Sequence, residues 1–74
     1  MTIEEFITDL KGFMYVCCDG EVDVVWSDRT MIITTEDAEA RAFVEGFLCA
    51  KGWLLSYCMT GSCEIKLETR VFAS

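Results

Sequence analysis

The stretch Phe13-Met14-Tyr15-Val16-Cys17-Cys18-Asp19-Gly20-Glu21-Val22-Asp23-Val24-Val25-Trp26-Ser27 decides how this chain is read. Asp19-Gly20 between two apolar runs is a strong signal for a two-residue hairpin turn. A hairpin there joins a strand over 13–18 to one over 21–27. It pairs Cys17 with Val22, Tyr15 with Val24 and Phe13 with Trp26, which places all six on one apolar face. Met14, Val16, Cys18, Glu21, Asp23 and Val25 fall on the other face. A third strand, Thr30 to Thr35, follows Asp28-Arg29. Whether that loop holds two residues or four, Trp26 lies opposite Met31 and Val24 opposite Ile33, so the core parity carries across all three strands.

Upstream, Thr2-Ile3-Glu4-Glu5 fits a capping box, with Thr2 as N-cap and Glu5 three residues on. Ile3, Phe6, Ile7 and Leu10 recur at helical spacing, and Gly12 is the expected stop. Downstream, Thr34 or Thr35 is the expected cap of a second helix. Glu36, Asp37 and Glu39 stand in its first turn, where the helix dipole favours negative charge. Ala40, Phe43, Val44, Phe47 and Leu48 form its apolar stripe, and Lys51-Gly52 closes it.

A last hairpin runs from Trp53 to Thr60 and from Cys63 to Phe72 around Gly61-Ser62. A two-residue turn pairs Met59 with Glu64 and Tyr57 with Lys66, setting an aromatic row against a charged one. A three-residue loop pairs Met59 with Cys63 and Tyr57 with Ile65. Burying Trp53, Leu55 and Tyr57 is worth roughly 1.5–3 kcal/mol each, which favours the odd-numbered loop. The expected fold is a single α+β domain over 1–74 in the order α-β-β-β-α-β-β. Its sheet is five-stranded and antiparallel with both helices on one face, and the strand order 4-5-1-2-3 makes every neighbour antiparallel.

The 74 residues contain no His, Pro, Asn or Gln. Without His there is no Ser-His or Cys-His nucleophile pair and no imidazole ligand. Glu21 and Asp23 share a strand face but lack the burial that would split a catalytic carboxylate pair. No catalytic residue is assigned, and a non-enzymatic protein is expected. The five cysteines include no C-x-x-C pair and no metal site or cofactor is expected; reduced, buried thiols fit better. Asp19-Gly20-Glu21-Val22-Asp23 also lacks the ligand order of a calcium loop. The start of the chain is acidic with no apolar run behind it, which does not fit a secretory signal, so a cytoplasmic location is expected.

Charge is the sharpest feature. The net charge is −7, but residues 1–45 hold 11 acids against 3 bases while residues 46–74 hold 2 against 3. Such a balance opposes direct binding to nucleic-acid phosphate or an anionic membrane. It suits a protein partner with a basic surface. Asp19, Glu21, Asp23, Asp28, Glu36, Asp37 and Glu39 are the candidate contact residues. A solvated, solubilising face is the plainer explanation of the same charge. Trp53, Leu55, Tyr57 and Met59 are a secondary interface candidate, through which the chain would be a homodimer or an accessory subunit; otherwise it is a monomer.

In size, acidity, lack of enzyme motifs and compact α+β pattern, the chain resembles the small acidic inhibitors encoded by bacteriophages: the anti-CRISPR proteins and the DNA-mimic anti-restriction proteins. The resemblance implies action without chemistry. Such a protein would occlude a nucleic-acid or nuclease-recruitment surface of a host defence complex.

Overall fold

A computed structural model describes residues 1–18, 21–27, 29–53 and 57–72 of the chain. Its first element overturns the reading of the decisive stretch. Helix α1 runs over Ile3–Cys18, straight through Gly12 and the whole segment 13–18. Two periods compete there, because every residue from Phe13 to Cys18 is apolar. The helical one wins: Ile3, Phe6, Ile7, Leu10, Phe13, Met14 and Cys18 all turn inward. Gly12 lies on the exposed side with open space around it. A helical Gly costs about 1 kcal/mol against Ala. Burying Met14 completely returns roughly 1.5–3 kcal/mol, so Gly12 does not stop the helix. The capping box at the start is present as expected, with Thr2 N–H donating to Glu5 Oε1 at 3.2 Å and Glu5 N–H to Thr2 Oγ1 at 3.1 Å.

Among the described residues the sheet therefore has four strands, not five, and the element order is α-β-β-α-β-β. The strands are β1 (Val22–Trp26), β2 (Thr30–Thr35), β3 (Tyr57–Met59) and β4 (Glu64–Glu68), antiparallel in the order β1-β2-β4-β3. The expected order 4-5-1-2-3 fails because no strand from 13–18 stands between the two hairpins. The last long strand pairs directly with β2 instead. Met31 lies opposite Leu67 and Ile33 opposite Ile65, so the four fully buried side chains of the sheet meet across its central pair.

The expected parity of β1 and β2 is observed, with Trp26 opposite Met31 and Val24 opposite Ile33. In the second hairpin Thr60 N–H donates to Glu64 O at 3.3 Å, which leaves Gly61, Ser62 and Cys63 as an odd-numbered loop. The aromatic row keeps the core parity, but one pair further along than expected: Tyr57 faces Leu67 and Met59 faces Ile65. Nor does the last strand reach Phe72. It ends at Glu68, and a 3₁₀ turn over Thr69–Phe72 brings the Phe72 ring to 5.3 Å from both Phe6 and Trp53.

Helix α2 spans Ala38–Ala50, and its N-cap is Asp37 rather than Thr34 or Thr35. Asp37 accepts from Ala40 N–H at 2.8 Å. Thr35 is still strand: its N–H donates to Cys63 O at 2.8 Å. Its hydroxyl, 2.9 Å from the Asp37 and Cys63 carbonyls, ties the end of β2 to the start of α2. At the other end Gly52 N–H bonds Cys49 O and Trp53 N–H bonds Leu48 O, a Schellman closure with Gly52 at φ 81°. Ala40, Val44 and Leu48 are buried, with Phe43 and Phe47 half-buried beside them, as the stripe predicted. Both helices join one core with the inner sheet face. Asp23, Val25, Ile32, Thr34, Lys66 and Glu68 of the opposite face are exposed.

Candidate functional site

The β1–β2 register assembles the acidic residues. Val22 lies opposite Thr35 and Asp23 opposite Thr34. Glu21 and Glu36 lie next to the Val22 and Thr35 pair in sequence, just outside the two strands. Glu36 leads into the cap Asp37, and Glu39 stands in the first turn of α2. Thr34 also pairs with Glu64, so Asp23 and Glu64 sit two strands apart on one sheet face, roughly 10 Å by normal strand spacing. The C-terminus of α1 meets the same end: Cys18 lines a cavity of about 110 Å³ with Glu36, Asp37, Glu39 and Ala40. Five of the seven carboxylates expected to bind a partner thus gather at one end of the sheet. The other two, Asp19 and Asp28, lie outside the described residues.

Glu21, Asp23, Glu36, Asp37 and Glu39 are all exposed. Several cations have other partners. Arg41 donates through Nη1 to Gly61 O, Lys51 stacks 5.2 Å from the Phe47 ring centroid, and Arg70 pairs with Glu68. That is the one side-chain ion pair among the described residues. Lys11 lines a hollow of about 300 Å³ together with Tyr15, Glu21, Val22 and Asp23. Exposed carboxylates so placed can accept charge-assisted hydrogen bonds from Lys and Arg of another molecule.

Of the secondary interface candidates, Trp53 and Tyr57 are half-buried against the core. The Trp53 ring is 5.5 Å from Phe6. Leu55 and the side chain of Met59 lie outside the described residues. The Tyr57 hydroxyl is 3.5 Å from Cys49 Sγ. This hydrogen bond, with burial and the charges of Glu45 and Cys49, pushes the Tyr57 hydroxyl up to about 12.

Sequence reasoning placed Val25 on the outer face but did not single out the exposed apolar groups as a candidate surface. Val25 and Ile32 lie opposite each other on the outer sheet face, with 68 % and 37 % of their surface accessible, and Tyr15 is 71 % exposed. The parity of Asp23 and Val25 is the signal for the first two. Tyr15 was masked by its reading as a core-facing strand residue. The thiols are free as expected but not buried as expected. None is in a disulfide and none is buried; Cys17, Cys49 and Cys58 are exposed. Among the described residues no group of three or more His, Cys, Asp or Glu is arranged to hold a metal ion. Among them, too, no helix is long and apolar enough to cross a membrane. Comparison with protein-family models, with curated proteins and with solved structures finds no match to this chain.

Proposed function

We propose that this chain is a non-enzymatic, acidic protein-binding module that occludes a basic nucleic-acid-binding surface of a host defence complex in the cytoplasm. This is the mode of action of the small phage-encoded inhibitors it resembles. The observation that carries the reading is the single acidic end formed by Glu21, Asp23, Glu36, Asp37 and Glu39 through the β1–β2 register and the start of α2. Fixed carboxylates on a rigid sheet end compete for Lys and Arg sites without a large ordering cost. The alternative, an apolar homodimer or accessory subunit built on Trp53, Leu55, Tyr57 and Met59, draws no support from Trp53 and Tyr57, which pack inward.

The test is a phage plaquing assay in cells with an active CRISPR or restriction system, paired with a gel-shift assay of the purified defence complex on its DNA. The wild-type protein restores plaquing and displaces DNA. Its effect in the gel shift fades as salt rises to about 0.5 M. Reversing both Glu21→Lys and Asp23→Lys abolishes inhibition. Inhibition that ignores salt and survives both reversals would sink the reading.

A further inference from the structure

The β1 strand is one edge of the sheet, and its backbone is open on the outer side. Ser27 N–H donates to Thr30 O at 2.8 Å. In an antiparallel ladder the bonded residues alternate, so Asp23, Val25 and Ser27 turn their backbone groups toward β2. Val22, Val24 and Trp26 turn theirs away from it. Among the described residues no hydrogen bond reaches these outward groups.

Such an edge is a template for another strand. Its surroundings fix what that strand must carry. Incoming residues opposite Val22, Val24 and Trp26 would share the helix side of the sheet. There the exposed Tyr15 and Trp26 offer apolar contact, beside a hollow of about 300 Å³ lined by Lys11, Tyr15, Glu21, Val22 and Asp23. The alternating residues would share the outer face with Asp23 and Val25, next to Glu21, where Lys or Arg is favoured. A second copy of this chain fits poorly. Self-pairing would bring two chains of net charge −7 together along the very edge that carries Glu21 and Asp23.

We infer that β1 is a strand-addition site for an extended segment of a partner protein that alternates apolar and basic residues. The inference rests on the proposed acidic docking function and supplies its binding mode.

The probe is a short synthetic peptide alternating valine and lysine, added to the isotopically labelled full chain. Strand addition should slow amide exchange at Val22, Val24 and Trp26 by at least about tenfold, leaving α2 amides unchanged. N-methylating the peptide along its bonding edge keeps every charge but removes the donors, and should weaken binding by at least about tenfold. Val24→Pro should do the same from the protein side, since the Val24 N–H is not used in the β1–β2 ladder. If Val24→Pro fails to fold, the N-methylated peptide decides the matter on unaltered protein.

Binding that tolerates N-methylation overturns strand addition while leaving the electrostatic function standing. No binding of the valine–lysine peptide overturns it too, and the plaquing assay with Glu21→Lys and Asp23→Lys then judges the function separately. Protection of the same amides without peptide, growing with protein concentration, would assign the edge to a second copy and also overturn the inference.

Discussion

Val22 lies directly opposite Thr35 across the β1–β2 ladder, the last pair before Glu21 and Glu36 at the acidic end. Like charges crowded on one surface repel one another and disfavour the compact state. Glu36→Lys should therefore raise the thermal midpoint in low salt, and the gain should shrink as salt screens the repulsion. Under the proposed function, the same change should weaken binding to the basic partner surface. Added stability with lost binding is the pattern of a surface held against repulsion for function. A Glu36→Lys protein that is less stable in low salt would contradict this placement.

Asp37 has two roles that substitution can separate. As N-cap it accepts from Ala40 N–H; as an exposed carboxylate it belongs to the acidic end. Asn caps helices about as well as Asp. Asp37→Asn should keep the urea midpoint nearly unchanged yet reduce partner affinity. Asp37→Ala should reduce affinity and also cost about 1 kcal/mol of stability in urea unfolding. Equal stability losses in the two variants would show that charge, not capping, dominates at this position.

The parts of this fold that were legible in sequence are those where only one period fits. Val22, Val24 and Trp26 alternate with Asp23 and Val25, and Met31 and Ile33 with Ile32 and Thr34, so the β1–β2 register could be read directly. That register already brings Glu21 and Glu36 to the same end of the ladder. Phe13 to Cys18 was different. Six consecutive apolar residues satisfy both the strand and the helix period, and Asp19-Gly20 pulled the choice toward a hairpin. Tertiary packing decided for the helix: Met14 is buried in the core, and the Phe13 ring stands 5.1 Å from Phe47. The open edge of β1 was therefore hidden, because a strand over 13–18 would have covered it.

Two glycines in comparable open space should respond in opposite directions to alanine. Neither Gly12 nor Gly52 has a heavy atom within 4 Å of an added Cβ. Gly12 is an interior residue of α1, so Gly12→Ala should stabilise by about 1 kcal/mol through helix propensity. Gly52 holds φ 81° in the closure of α2, so Gly52→Ala should destabilise by roughly 1–2 kcal/mol. Chemical denaturation of the two variants measures both. A destabilising Gly12→Ala would restore the reading of Gly12 as a helix stop.

The Tyr57 hydroxyl supplies a pH signature of the packed hairpin. The hydrogen bond to Cys49 is the leading cause of its rise from 10.0 to about 12. A raised phenol means the folded state keeps its proton where the unfolded state loses it. The unfolded chain then binds fewer protons than the native one, so stability falls as pH rises. The contribution is whole below pH 10, declines above it, and is gone past about 12. In a Tyr15→Phe background, which leaves Tyr57 as the only tyrosine, phenolate absorbance should report a single late titration. Cys49 is exposed, so Cys49→Ala opens no core cavity. It removes the leading partner, and the titration should move down toward the ordinary tyrosine range. A midpoint unchanged by Cys49→Ala would assign the shift to burial and Glu45 instead.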